Sequence, residues 1–225
     1  MMAQSLLAGL VLLVIGDSHM AGSDYLINTL HDALTNDGAI VHSYGFCGAQ
    51  GENWVYGTTV SCGRAERHGS APPLADRGPQ EHTWPLRELI ERHHPNLIIV
   101  ELGDTMAAYG QSALPRAWIY EQVRTLTGVI RSENLPCIWV GPAWGNDGFA
   151  YHKSVARVTE MSGFLSQSVA PCRFVDSTAF SRPGQWPTTD GQHLTASGYR
   201  AWGGDIADAV VQLAPQLSLK PHAVP

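Results

Sequence analysis

The chain has 225 residues, of which 44% are hydrophobic and 15% charged, with a formal net charge of −6; it is long enough to bury the core of one α/β domain and is not disordered in composition. The acidic balance, with no Lys/Arg-rich stretch, argues against a nucleic-acid or anionic-membrane partner. The low charged fraction and seven tryptophans hint at a neutral substrate such as a sugar.

The longest apolar run spans residues 6–15, ten residues, far short of the roughly 18 that a membrane span needs. It lacks a basic start and runs directly into Gly16-Asp17-Ser18, so it reads as a first strand at 10–15 rather than a signal peptide, with 1–8 as an extension. Ser23 is placed to cap a helix over 24–35, and a second strand follows at 39–43. The stretch from Gly45 to Pro85 is rich in Gly, Ser, Pro and charge with little periodicity. It reads as a long functional loop. Beyond it the pattern alternates: helix 84–93, strand 97–102, helix 115–132, strand 137–140, helix 151–169, strand 173–175, and helix 196–213 behind a Thr195 cap. Strand–helix alternation with continuous apolar strands implies a parallel sheet covered on both faces. There is no internal repeat, and the tail at 214–225 reads as frayed, leaving one domain with a core at about 10–213.

Cys47, Cys62, Cys137 and Cys172 show no CxxC spacing, so a zinc site built on them is not expected. Cys47 and Cys62 flank one Gly-rich loop, while Cys137 and Cys172 each open a strand expected to lie side by side. Pairs 47–62 and 137–172 are therefore reasonable, although four cysteines allow three pairings and could also remain as buried thiols. Disulfides would place the protein in an oxidising compartment, periplasmic or secreted, with the cytoplasm the alternative. His31, His42, His68, His82, His93, His94 and His152 are scattered without metal-ligand spacing and read as surface or core residues; no metal and no cofactor are expected.

The chemistry lies in segments that follow strands. Ser18 sits where the first strand hands over to a helix, and Asp190 and His193 sit three residues apart before the last helix. A serine hydroxyl is inert until a base takes its proton, and an imidazole oriented by a carboxylate is such a base. The simpler readings are a helix cap for Ser18 and a capped turn with a surface histidine for the pair. In open α/β sheets, ligands bind at the carboxyl ends of the strands, and the Gly45–Gly48, Gly103–Thr105 and Gly145–Gly148 segments should meet Ser18 there.

In these blocks and their order the chain resembles the SGNH (GDSL-type) hydrolase superfamily, across residues 10 to 210. Gly16-Asp17-Ser18 resembles the first block, Gly45-Phe-Cys-Gly48 the second, Val100-Glu101-Leu102-Gly103 the third, and Asp190-Gly-Gln-His193 the last, followed by Gly198-Tyr199. The resemblance implies a flavodoxin-like three-layer α/β/α domain with a five-stranded parallel sheet. It also implies Ser18 as nucleophile, His193 as base and Asp190 as its orienting carboxylate. The oxyanion donors would be the Ser18 and Gly48 amides and the residue at the family's third-block asparagine. That position holds Thr105 in Gly103-Asp104-Thr105-Met106. A threonine hydroxyl donates one hydrogen bond but is shorter than an amide, and Asn146 is a candidate replacement.

His19 adjoins the nucleophile and could face the cleft, and Trp54, Trp144 and Trp186 fall on loops where they could stack on sugar rings. The resemblance implies a serine esterase removing small acyl groups, with a carbohydrate O-acetyl ester as the favoured substrate. The alternatives are an O-acetyltransferase using the same triad and a non-catalytic carbohydrate-binding member of the fold. Lipase or thioesterase action is less expected, because no extended apolar lid is visible. The partner is then a small-molecule or glycan ester.

Overall fold

A computed structural model describes residues 6–60, 62–76 and 81–219; the outermost parts of the two expected extensions, 1–5 and 220–225, lie outside the described residues. In chain order the elements are β1 (Val11–Gly16), α1 (Leu26–Asn36), β2 (Ile40–Phe46), the one-turn α2 (Asn53–Tyr56), β3 (Thr59–Val60), β4 (Arg64–His68), β5 (Leu74–Asp76), β6 (Glu81–His82), α3 (Leu86–His93), β7 (Leu97–Glu101), α4 (Arg116–Ser132), β8 (Cys137–Val140), α5 (Val155–Ser168), β9 (Arg173–Val175) and α6 (Ala196–Leu213). The five expected strands, now β2, β1, β7, β8 and β9, lie side by side in that order and are all parallel. From β1 the chain moves first to one side, to β2, and later to the other, to β7. The carboxyl ends of β1 and its neighbours therefore open a crevice at the reversal of strand order.

The strands are apolar throughout because both faces are covered. Along β1, Leu12 and Val14 pack with α1 and α6 residues such as Leu30, Trp202 and Ile206. Leu13 and Ile15 point the other way, against Leu89 of α3, Ile119 and Val123 of α4, and Met161 of α5. Side chains alternate along a strand, so one apolar run supplies both cores.

The segment 45–85 is not a plain loop. β4 pairs antiparallel with β2, and β5 with β4, so the sheet has seven strands, while β3 and β6 form a separate two-stranded ribbon. The sequence Arg64-Ala-Glu-Arg-His68 hides a strand because only Ala65 is fully buried within it. Charged side chains suit the margin of a sheet, where they discourage pairing with other chains.

Beyond 10–213 the described chain still packs: Leu7 is buried, and Leu217 and Leu219 lie on the α1/α6 core. The first helix begins at Leu26 behind Tyr25 rather than at Asp24 behind Ser23; the Ser23 carbonyl instead accepts a hydrogen bond from the Asn28 side chain. Thr195 does precede α6, but its hydroxyl meets Ser197 rather than a helix amide. No helix among the described residues is long and apolar enough to cross a membrane.

Both cysteine pairs are disulfides, Cys47–Cys62 with Cα atoms 5.4 Å apart and Cys137–Cys172 with 4.5 Å, and no cysteine is left free. The first ties the end of β2 to the approach of β4; the second joins the starts of β8 and β9. Thiol titration of the oxidised protein under denaturing conditions should find no free thiol. Replacing Cys137 and Cys172 together by alanine should lower unfolding stability by about 2–4 kcal/mol, read from urea curves.

Candidate active site

Ser18 opens a short 3-10 turn, Ser18–Met20, directly after β1. This turn lies flat on β2: a Cβ added to Gly45 would sit 2.3 Å from the Met20 backbone carbonyl. Glycine at 45 is what allows the Ser18 turn to approach the sheet so closely. From the other side of the crevice, the loop before α6 brings in His193. Its Nε2 lies 2.8 Å from Ser18 Oγ, and its Nδ1 lies 2.7 Å from Asp190 Oδ2. Asp190 Oδ1 accepts from the backbone N–H groups of Gln192 at 3.0 Å and His193 at 2.7 Å. One carboxylate thus shapes the turn and orients the ring.

Ser18 is 9% exposed and His193 8%, low enough to limit water yet open to a cleft. Burial and the nearby His19 hold the His193 pKa below its usual value, against the opposing pull of Asp190. Burial would raise Asp190, but the hydrogen bonds from His193 and Gln192 outweigh it and hold its carboxyl below the usual range. At neutral pH the imidazole is therefore an unprotonated base beside an ionised carboxylate.

The cleft over Ser18 has a volume of about 400 Å³ and is walled by Gly48, Gln50, Thr105, Tyr109, Tyr151 and Gln192, with the Cys47–Cys62 disulfide at one side. Among the described residues lining it there is no Lys or Arg. Gly48 adopts φ +79°, a left-handed conformation natural to glycine. Tyr25 stacks on the His193 ring, with centroids 5.9 Å apart, and Tyr151 meets it edge-on at 5.5 Å.

Beneath the triad lies a buried network that the sequence did not announce. Asp104 Oδ2 accepts from His19 Nε2 at 2.5 Å and from Lys153 Nζ at 2.5 Å, and its Oδ1 accepts from the Tyr109 hydroxyl. His19 Nδ1 in turn meets the Tyr199 hydroxyl of α6 at 2.8 Å. Burial alone would push Asp104 up, but Lys153 and the His19 hydrogen bond hold it well below the usual carboxylate range. Nearby Asp17 and Glu101 form no ion pair among the described residues, and His19 at Asp17 and Lys153 at Glu101 pull against burial without overcoming it. Burial pushes both up, and Asp17 and Asp104 add to the rise at Glu101. Arg157 of α5 binds the carbonyls of Ala107, Ala108 and Gln111, fixing the loop that carries Tyr109.

Several expected residues are placed differently. Thr105 does line the cleft, but its hydroxyl donates to the Ala49 carbonyl at 2.8 Å, which engages its single proton. The Asn146 side-chain oxygen accepts from Thr188 at 2.5 Å, and Asn146 does not line the cleft. Trp54 is fully buried against Phe46, and Trp186 belongs to the α1/α6 core. The Trp144 indole N–H donates to the Thr178 and Ser181 carbonyls. None of the three tryptophans lines the cleft; Tyr151, which does, is 46% exposed, and Phe149, equally exposed, packs beside Gly191, one residue before the lining residue Gln192. His19 supports the site from below rather than facing the cleft.

No family model matches the chain. It is similar to Protein BcsX of Komagataeibacter xylinus, 46% identical over 220 residues, which covers 97% of this chain and 83% of that one. In fold it is similar to a carbohydrate esterase family 3 protein of Talaromyces cellulolyticus, with a TM-score of 0.59 and 15% identity over 93% of this chain and 100% of that one. It is also similar to a GDSL-like lipase of Bacteroides thetaiotaomicron, with a TM-score of 0.56 and 13% identity over 90% and 88% of the two chains.

Removing Lys153 strips the fully buried Asp104 carboxylate of the ammonium 2.5 Å away. Lys153→Met should destabilise the fold by about 3–5 kcal/mol, as expected for an orphaned buried charge, and adding Asp104→Asn should recover part of the loss. A double-mutant cycle in urea measures this coupling, and strict additivity would refute it.

Proposed function

The chain belongs to the family of Protein BcsX and carries the SGNH-hydrolase fold, and from that premise we propose that it is a serine esterase that removes small acyl groups, O-acetyl above all, from a carbohydrate. The observation that carries this reading is the continuous chain Ser18 Oγ, His193 Nε2, His193 Nδ1, Asp190 Oδ2, each link 2.7–2.8 Å, at the floor of a cleft. In this mechanism His193 takes the Ser18 proton as the oxygen attacks the ester carbonyl. The imidazolium, steadied by Asp190, then gives that proton to the leaving alcohol. Water activated by the same base hydrolyses the acyl-Ser18 ester.

The developing oxyanion would be held by the backbone N–H groups of Ser18 and Gly48. With Thr105 engaged to Ala49, the side-chain amides of Gln50 and Gln192, both lining the cleft, are groups of suitable chemistry for a third donor. A cleft of about 400 Å³ without a lining cation suits a small uncharged acyl group. Tyr151 and Phe149, each 46% exposed, give a sugar ring flat surfaces to stack on in place of the tryptophans. The two disulfides support residence in an oxidising compartment.

Wild-type protein mixed with p-nitrophenyl acetate should release p-nitrophenol in a burst. Ser18→Ala should abolish the burst and lower kcat roughly 10⁴- to 10⁶-fold; equal rates for the two proteins on several acyl esters would refute the esterase reading. Adding a glycan acceptor to the same reaction separates hydrolysis from transfer, because an acylated sugar forms only in transfer.

The base must be neutral to act, and the His193 pKa lies below its usual 6.5. Activity should therefore rise with pH through a midpoint below 6.5 in the kcat/KM profile. A midpoint above that value would contradict the buried, His19-flanked setting of the ring.

A further inference from the structure

Three histidines that lie 25 and 26 positions apart along the chain meet on the α3 face of the sheet. His42 of β2 and His68 of β4 are directly paired across the antiparallel ladder, and their Nδ1 atoms are 3.2 Å apart. His93, the last residue of α3, lays its ring on that of His42, with centroids 3.9 Å apart and planes 20° from parallel. One ring nitrogen from each of the three falls within 4.8 Å of the others. From these positions we propose that His42, His68 and His93 bind one divalent first-row transition-metal ion, zinc above all, as a structural clip between β4, β2 and α3.

The chemistry and the spacing agree. Two nitrogens bound to one tetrahedral zinc at about 2.0–2.1 Å lie about 3.3 Å apart, close to the separation of the His42 and His68 Nδ1 atoms. An all-imidazole set suits zinc, copper or nickel and not the oxygen-seeking calcium or magnesium. Burial holds all three rings below their usual pKa, with His42 and His93 at about 4, so each is in the neutral, ligating form at neutral pH. The Tyr44 hydroxyl, 2.7 Å from His93 Nε2, steadies the third ring. Glu66 and Arg92, of opposite sign, act on His68. The backbone under the ligands is fixed by the ladder and the helix, so closing the site takes side-chain rotation alone, chiefly turning the His93 ring off its stack with His42.

The site stands apart from the triad. His42 precedes Gly45, which carries the Ser18 turn, by three residues, about 10 Å along a strand. The β2–β4 pair is already fastened at its cleft end by Cys47–Cys62, and the metal would fasten the other end. Three protein ligands leave the fourth position to water.

The full-length protein, stripped with a chelator and desalted, is titrated with Zn²⁺ by calorimetry and with Co²⁺ by visible absorption. One equivalent should bind, Tm should rise by several degrees with excess zinc, and cobalt should show visible ligand-field bands. His68→Asn and His93→Gln should each weaken zinc binding at least about tenfold and abolish the Tm response, while turnover of p-nitrophenyl acetate stays unchanged. Should either variant fail to fold, wild-type crystals grown with zinc decide: an anomalous peak bonded to His42 and His68 supports the site. Absence of binding, undiminished affinity in the variants, or loss of the metal in His193→Ala instead would overturn it.

Discussion

The buried carboxylate of Asp104 is the interaction on which the arrangement of the site depends. An ion without water must be matched by fixed charge and hydrogen bonds, and Asp104 is matched from three directions: Lys153 from the loop before α5, His19 from the turn after β1, and Tyr109 from its own loop. These segments come from different crossovers of the parallel sheet. The ion group therefore ties the ends of β1 and β7 and the entry to α5 into one rigid floor. Ser18 precedes His19 in the chain, so the anchor for Asp104 is also the anchor for the turn that carries Ser18.

The same group shapes the electrostatics above it. Asp104 lines the cleft beside Thr105, and under the proposed esterase reading a free carboxylate there would repel the negative charge of a developing oxyanion. Lys153 and His19 offset it from below, leaving the cleft surface without an uncompensated anion. Burial pushes the Asp17 and Glu101 carboxyls up, against weaker pulls from His19 and Lys153, while Asp104 is held down. The His19 ring, 5.1 Å from that of His193, also helps keep the base unprotonated.

The inserted segment between β2 and α3 serves the site in a second way. By adding β4 and β5 to the sheet it places the Cys47–Cys62 disulfide and Gly48 at the cleft wall, with β4 held in register against β2. The left-handed turn at Gly48 is thereby fixed at both flanks. A loop without its own pairing would leave this wall mobile, and a donor displaced by 1 Å loses much of its worth to a transition state.

Features that are local or periodic are legible in the chain alone. The five parallel strands were legible because a doubly covered strand is apolar at nearly every position. The Asp190–His193 pair was legible because a carboxylate three residues before an imidazole reaches it within one turn. Ser18 could be read from its place after a strand, and the two cysteine pairs as reasonable ones among the three possible, with free thiols the alternative. Tertiary structure decided what depends on distant partners. β4 was hidden because, one strand in from the sheet's edge, it keeps only Ala65 fully buried and shows no apolar run. Trp54 and Trp186 were misplaced at the cleft because an indole on a loop can be claimed by the core on either side. Thr105, placed by its motif, is engaged by the carbonyl of Ala49, 56 positions away. Lys153 and Asp104 are 49 positions apart, and His42, His68 and His93 carry no ligand spacing at all. Their meeting follows from strand order and register, which fix where a side chain ends in space and leave no mark on its neighbours in the chain.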